Sequence, residues 1–401
     1  MDRSETTSIY DALGVRRVIN ARSYSTKLGG CVAMPEVMDA MREAGKSCIR
    51  IEDLQEAASR IIAESTGAEA GIVTSGASAA LTLATAACLA RLDVAIMNQL
   101  PDTTGLKNEV IVHRSHRNDY DHALRLAGAR FVEVGFSYHT FPYEVEKAIS
   151  ERTAALFFLA GANDGVVPLR DFIDIAHRHN LPVIVDASAE LPPTSNLRAF
   201  TDSGVDLVAF SGGKNIRGPQ STGILCGKND LILSAALQHQ DMDVFPETWP
   251  YRRLLAEGTL AGPPHHGVGR GFKVGKEEIV GLITALKLYP LRDFEAELRQ
   301  WMSEMESIAS ALEGIPGVQA AVVFPQANGR PVPNVHIRID PVTTKIDACE
   351  VTNRLQEGIP PICVFEKLAA SGTVVIMPEA LQRGDASIIA SCLKAIFKNP
   401  Q

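Results

Sequence analysis

The stretch Val208-Ala-Phe-Ser211-Gly-Gly-Lys214-Asn-Ile-Arg-Gly-Pro-Gln220 decides how this chain is read. Its apolar run ends at Phe210, as does a strand buried on both faces. Ser211, Gly212 and Gly213 then carry only small side chains, so the backbone can approach an anion and the Ser211 hydroxyl can bond it. Lys214 follows, with an amine able to form a Schiff base with a carbonyl compound. Upstream, Val183-Ile-Val-Asp186-Ala-Ser188 is a second apolar run that ends on a carboxylate. In a doubly wound sheet, ligands sit at the carboxyl ends of the strands, the position predicted for Asp186, Ser188, Ser211 and Lys214. Taken alone, each has an ordinary reading as well: a turn aspartate, a solvated lysine.

Two further strand ends belong to the same pattern. Val73-Thr-Ser75-Gly76-Ala77-Ser78 reads as strand, glycine turn and helix start, and a helix N-terminus offers N–H groups and a positive dipole end to a phosphate. Ile111-Val-His113-Arg-Ser-His116 places two imidazoles after another strand, one of which could stack on a flat ring. Phosphate cradle, lysine, carboxylate and flat face are the parts that pyridoxal 5'-phosphate (PLP) requires. The carboxylate keeps the pyridine nitrogen protonated, so that the ring can absorb electrons from the substrate Cα. The joint occurrence, rather than any one residue, selects this cofactor. No metal site is expected.

Around these motifs, strands are predicted at Gly71–Thr74, Glu109–Val112, Arg130–Val134, Ala154–Leu159, Pro182–Asp186, Leu207–Phe210 and Gly223–Cys226. Helices between them fall at Ser78–Leu92, Tyr120–Ala127, Tyr143–Ile149 and Leu169–Arg178. Such alternation means βαβ units and a mostly parallel, doubly wound sheet. Residues 227–270 read as irregular. A long helix from Lys276 to Leu312, broken near Pro290, leads to a smaller α+β domain. Its strands are predicted at Ala320–Phe324, Val335–Ile339 and Val374–Met377, with helices at Asp347–Glu357 and Asp385–Phe397. The predicted division is an N-terminal arm and helix (1–60), a large cofactor-binding domain (61–270), and a linking helix with the small domain (271–401).

Composition sets the outer bounds. The 401 residues are 46% apolar and 21% charged, enough to bury a sizeable core. The formal net charge of −8 argues against nucleic acid or an anionic membrane as partner. Seven cysteines, none in a C-x-x-C pair, fit a reducing cytoplasm rather than a disulfide or zinc framework. Met1 to Tyr10 lacks the apolar region of a signal peptide. The longest apolar stretch, Ala77 to Ala90, is too short to cross a bilayer and reads as a buried helix.

At these motifs the chain resembles the fold-type-I PLP enzymes similar to bacterial selenocysteine synthase (L-seryl-tRNA selenium transferase), in particular the subgroup with D-glucosaminate-6-phosphate ammonia lyase. The resemblance covers nearly the whole chain. It runs through Gly14-Val-Arg-Arg-Val-Ile-Asn20-Ala, Lys27-Leu-Gly-Gly30, Leu100-Pro-Asp-Thr-Thr-Gly105, Asp119–Arg130, Ser211–Gln220 and Lys273-Val-Gly-Lys-Glu-Glu278. It implies that Lys214 is the lysine of the internal aldimine and the acid or base at Cα. Asp186 would pair with the ring nitrogen, His116 would stack on the ring, and Ser75, Gly76, Ala77 and Ser211 would hold the phosphate. It also implies a homo-oligomer with active sites at subunit interfaces, where Arg270 and Lys273 would reach a neighbour's site.

The chain departs from its relatives in three places. After Pro360-Pro361-Ile362, relatives often carry an arginine soon, and here Cys363, Val364, Phe365 and Glu366 follow. Relatives often have Asp-Pro-Arg-x-Leu where this chain has Met377-Pro378-Glu379-Ala380-Leu381. Arg22 and Tyr24 stand where relatives tend to have smaller residues, and they either shape the substrate pocket or lie on a surface arm.

The reaction this suggests is loss of a β-substituent such as water from a hydroxylated 2-amino acid or amino sugar acid, with release of ammonia and a 2-keto acid. Lys214, His113 or His116 would protonate the leaving hydroxyl. The alternatives are other PLP outcomes (racemisation, aldol cleavage, transamination) or a non-catalytic binding protein on the same fold. A tRNA-dependent transferase fits less well, because the recognisable core begins near residue 10 and leaves no room for an RNA-binding domain. A Rossmann enzyme would need a G-x-G-x-x-G after the first strand.

Overall fold

The computed structural model describes residues 8–161, 164–326 and 328–399. Most of the predicted Met1–Tyr10 segment lies outside them. The chain divides into two compact units, one of residues 33–292 and one that joins residues up to 32 with those from 293 onward.

In chain order the strands are β1 (Ile19–Ala21), β2 (Ala70–Thr74), β3 (Glu109–His113), β4 (Arg130–Val134), β5 (Thr153–Leu159), β6 (Val183–Asp186), β7 (Leu207–Ser211), β8 (Gly223–Gly227), β9 (Val318–Val323), β10 (Asn334–Ile339), β11 (Ile362–Val364) and β12 (Thr373–Ile376).

The larger unit holds a seven-stranded sheet in the order β2-β8-β7-β6-β5-β3-β4. All its pairings are parallel except those of β8, which is antiparallel to both β2 and β7. The continuous apolar runs have their cause here. Ile72, Val110, Val112, Phe157, Ile184, Leu207 and Leu225 share one core with the helix Ala77–Ala90. The alternate residues Val73, Ile111, Leu156, Val183, Val185, Val208 and Ile224 are buried as well. Both faces are therefore covered, as a parallel sheet demands. From β3 the chain steps outward to β4 and then returns to β5 on the other side. That reversal makes the β3–β5 boundary a topological switch point, where such sheets bind ligands.

Ala77–Ala90 is a helix with every residue from Ala79 to Ala90 buried, as its composition predicts. The reading of 227–270 as irregular needs correction, because Asn229–His239 forms a helix that packs on Ala77–Ala90. Its residues Leu231, Ile232, Ser234, Ala235, Leu237, Gln238 and His239 are all buried, so no polar face sets a helical period. The sequence reading also passed over the short helix Asn196–Asp202 and strand β1.

The smaller unit is α+β. Strands β12-β10-β9 form an antiparallel sheet, and β1 pairs in parallel with β11. Helices Phe294–Ala311, Ala348–Glu357 and Asp385–Lys398 supply Met305, Ile308, Val351, Leu355, Ile389 and Leu393 to a core with Val335, Ile337, Val364, Val374 and Ile376. No helix among the described residues is long and apolar enough to cross a membrane.

Candidate active site

The carboxyl ends of β2, β3, β5, β6 and β7 lie at one edge of the large sheet, and the first residue of the antiparallel β8 lies there too. Asp186 ends β6 with 5% of its surface exposed. Its Oδ1 accepts the backbone N–H of Ser188 at 2.9 Å, which fixes the carboxylate. From the turn after β7, the Lys214 amine donates to the Ser188 hydroxyl at 3.5 Å. Asp186, Ser188 and Lys214 are thus one connected group. The loop that carries the lysine is tied down on its far side: Tyr289 donates its hydroxyl to Asn215 Oδ1 at 2.7 Å, and the Arg292 guanidinium donates to the Asn215 carbonyl. No sequence motif pointed to Tyr289 or Arg292, because their contact depends on how Lys276–Leu288 ends against this loop.

The small residues of the glycine turns also prove necessary. Gly223 is paired with Thr74 on one side and Ser211 on the other. A Cβ built on it would stand 2.4 Å from the Gly76 carbonyl carbon and 2.6 Å from the Ala77 nitrogen, so only glycine fits. Gly76 itself takes φ 102°, and its carbonyl accepts the Thr74 hydroxyl at 3.0 Å. The helix that starts at Ala77 has no side-chain cap, and its first intrahelical bond is Ala80 N–H to the Gly76 carbonyl. The N–H groups ahead of it are uncommitted within the helix. Ser75, Gly76 and Ala77 are half-exposed and Ser78 is exposed, while the helix from Ala79 onward is buried. A single strand, β8, separates this open helix end from Ser211. Gly223 was not singled out from the sequence, since its role comes from a neighbour far away in the chain.

The histidines are placed differently. His116 follows β3 at the switch point, and its Nδ1 accepts the Leu159 N–H of β5 at 3.2 Å. The proton of the neutral ring therefore sits on Nε2. The ring is fully buried, edge-on to Phe158 at 4.7 Å. His113 is fully buried among His116, Phe158 and Phe172, and neither of its nitrogens has a hydrogen-bond partner among the described residues. Burial first, then the neighbouring His116, pushes its pKa down to about 3. A ring so placed is neutral near pH 7, and the one N–H it keeps is a weak acid.

Of the four residues predicted to contact substrate, two lie in the larger unit and two in the smaller. Arg270 and Lys273 line a cleft of about 450 Å³ with Gln55, His239 and Glu278, and Arg270 donates to Asp241 at 2.7 Å. Arg22 and Tyr24 belong to the smaller unit. There Arg22 donates to Glu366, and Tyr24 lies beneath the Arg330 guanidinium at 5.8 Å. They follow the buried strand β1, and both are half-buried.

The sequence profile of the L-seryl-tRNA selenium transferase family matches residues 24–243. The chain belongs to that family. It is 31% identical to D-glucosaminate-6-phosphate ammonia lyase of Salmonella typhimurium, across 98% of this chain and 99% of that one. It is 32% identical to a Streptomyces 5'-C-glycyluridine monooxygenase-decarboxylase, across 96% and 90%. A solved structure of D-glucosaminate-6-phosphate ammonia-lyase superposes with a TM-score of 0.81 at 30% identity, covering 98% of this chain and 99% of that one. With the large mixed sheet, these matches make the family member a PLP enzyme of fold type I. Its own residues fit the cofactor. The uncapped helix end suits a phosphate, buried Asp186 suits a pyridinium nitrogen, and Lys214 has an amine within reach of the same strand ends.

Proposed function

We propose that the chain is a carbon–nitrogen lyase that removes water and then ammonia from a hydroxylated 2-amino acid of the amino sugar acid class. The carrying observation is the connected Asp186–Ser188–Lys214 group beside an open helix end, in a chain that matches an ammonia lyase over nearly its full length.

Bound at this edge, PLP would supply an aldehyde carbon for the lysine or substrate amine and a ring that accepts electrons from Cα. The chain's residues do the rest. Ser75, Gly76, Ala77 and Ser211 would hold the phosphate, and Asp186 would pair with the ring nitrogen. His116 is assigned as the residue that would stack on the ring. Lys214 takes the Cα proton and delivers it to the β-hydroxyl, which leaves as water. His113, enclosed and with its pKa pushed down by burial, is not assigned to that step. Hydrolysis of the resulting enamine returns one water and frees ammonia, so the net change is amino acid to 3-deoxy-2-keto acid plus ammonia. We assign Arg270 and Lys273 to a site completed by a second subunit, and place the enzyme in the cytoplasm.

The similarity to the monooxygenase-decarboxylase supports a second reading, in which the same Cα chemistry ends in oxygen uptake and carbon dioxide release. Purified protein with PLP should show a near-visible band that is absent in Lys214→Ala, and borohydride should fix the cofactor on Lys214. Hydroxylated 2-amino acids should then yield keto acid and ammonia in equal amounts. A protein that stays colourless with added PLP would defeat both readings, and oxygen consumption without ammonia would favour the second.

A further inference from the structure

Lys214 stands in a loop rich in glycine, and a chain of that composition has little stiffness of its own. Gly212, Gly213 and Gly218 flank the turn Lys214–Arg217, which is closed by the Arg217 N–H donating to the Lys214 carbonyl at 2.9 Å. The Gly212 N–H donates to the Thr222 carbonyl at 2.8 Å and the Gly218 N–H to the Gly212 carbonyl at 2.9 Å, so the base of the loop is fixed by its own backbone. Its tip is fixed by another element. Tyr289 and Asn215 are 0% and 1% exposed, and the tyrosine hydroxyl donates to Asn215 Oδ1 at 2.7 Å. Arg292 donates to the Asn215 carbonyl, and its guanidinium lies 5.3 Å from the centre of the Tyr289 ring. The side chain and the peptide carbonyl of the residue next to the lysine are thus held at once.

The helix Lys276–Leu288, which leads into Tyr289, also backs the loop on either side of the turn. A Cβ on Gly212 would stand 2.5 Å from Leu282 Cδ1, one on Gly218 3.0 Å from the same atom, and one on Gly281 2.6 Å from Pro219 Cγ. Pro290 then stops the helix, and Tyr289–Leu291 turns as a short 3-10 segment. An apolar pair could fill the space between Tyr289 and Asn215. A buried hydroxyl, amide and guanidinium on one residue instead demand matched hydrogen bonds, and a satisfied network of that kind specifies a single geometry. A lysine that takes a proton from Cα and passes it to a neighbouring oxygen needs such a geometry, since a misplacement of about 1 Å can cost on the order of 10²-fold in rate.

We propose that Tyr289 and Arg292 are positioning residues for Lys214: acting through Asn215, they hold the turn that aims the lysine amine, and so set how readily it meets the cofactor and the substrate Cα. The proposal rests on the assignment of Lys214 as the residue that carries the cofactor and moves the proton.

The test follows four readouts: the rate at which PLP added to the apoenzyme becomes fixable on Lys214 by borohydride, the pH midpoint of the near-visible band of the loaded enzyme, ammonia release from hydroxylated 2-amino acids, and urea unfolding. Tyr289→Phe removes one hydroxyl and keeps the ring under Arg292. It should slow PLP capture at least tenfold, move the band's pH midpoint by at least half a unit, and lower kcat at least tenfold with KM within twofold. Asn215→Leu should do the same. The double variant should be no worse than the more impaired single one, because Tyr289 acts through Asn215. Arg292→Lys can still donate to the Asn215 carbonyl but stacks less well on the ring. It should give smaller changes in the same direction, and it serves if the other variants do not fold. Variants that lose stability while capture, band midpoint and kcat stay as in wild type overturn the proposal, since the contacts would then be structural. Effects that add in the double variant overturn the route through Asn215. If capture and band respond as expected but wild type releases no ammonia, the lyase reading falls and the positioning role stands. If wild type takes up no PLP, both fall.

Discussion

The Lys214 amine lies 3.5 Å from the Ser188 hydroxyl, and Ser188 donates its backbone N–H to Asp186 Oδ1 at 2.9 Å. The lysine and the aspartate come from the ends of neighbouring parallel strands, β7 and β6, and one serine spans them. This arrangement separates the charge of Asp186 from its structural duty. Asp186→Asn keeps an Oδ1 that accepts from Ser188, so the fold should be retained. It removes the negative charge that would hold a ring nitrogen protonated. We expect kcat to fall on the order of 10²–10³-fold, with the melting temperature within a few degrees of wild type. Near-wild-type turnover would refute the assignment.

Gly223 offers a test of the phosphate cradle that touches no polar group. Gly223→Ala introduces a methyl whose carbon would meet the Gly76–Ala77 peptide at 2.4–2.6 Å, against backbone that cannot move cheaply. Overpacking of this kind costs about 1–3 kcal/mol. The displaced element is the open helix end, so the Kd for PLP should rise at least tenfold as well. Equilibrium dialysis of the cofactor, beside a urea melt, checks both effects. A loss of stability with unchanged PLP affinity would mean that the helix end does not hold the phosphate.

The large sheet was legible because its strands are buried on both faces and therefore read as unbroken apolar runs. The Asp186–Ser188–Lys214 group was legible because these residues stand at or just after the ends of such runs. Where the sequence was silent, the cause is contact between distant segments. Gly223 looks like any glycine until Gly76 is seen against it. Tyr289 and Arg292 close a helix end that sequence marks only by Pro290. Asn229–His239 was passed over because a helix buried on all sides shows no amphipathic period. His113 and His116 are alike in sequence, and only the packing shows that one is an enclosed neutral ring while the other has its Nδ1 fixed by Leu159.

His113 gives a pH prediction. Its pKa falls from the ordinary 6.5 to about 3 in the folded protein. The unfolded chain therefore binds a proton that the folded chain refuses. The stability linked to this group is complete above pH 6.5 and is lost as pH falls from there toward 3. The loss amounts to about 1.4 kcal/mol per pH unit in that window, or roughly 2 kcal/mol between pH 6.5 and 5. His113→Phe keeps an aromatic ring in the same cluster and removes the titration. Urea unfolding at pH 7.5 and pH 5 should show a smaller decline for the variant. At pH 7.5 the variant should match or exceed wild type, because two unsatisfied ring nitrogens are gone. An unchanged pH slope would show that His113 is protonated, or bonded, in the folded state.

Gln55 controls the edge of the sheet where the Ser75–Ala77 turn begins. Strand β2 ends the sheet order, so the outer side of its backbone has no strand to bond. The buried Gln55 side chain, from helix Ile51–Thr66, takes that strand's place at Val73. Its Nε2 donates to the Val73 carbonyl at 2.8 Å, and its Oε1 accepts the Val73 N–H at 3.0 Å. Gln55→Leu fills similar volume but leaves both peptide groups buried and unpaired, at about 1–3 kcal/mol each. Glu at the same position can accept from the Val73 N–H, but its second oxygen faces the Val73 carbonyl and its charge is buried, so Gln55→Glu should destabilise at least as much as Gln55→Leu. Val73 is two residues before Ser75, so loosening it should also weaken PLP binding. Chemical denaturation ranks the stabilities, and cofactor titration reads the turn. If Gln55→Leu lowers stability by several kcal/mol while PLP binds as in wild type, the phosphate turn is held by Thr74 and Gly223 alone, independently of the strand that leads into it.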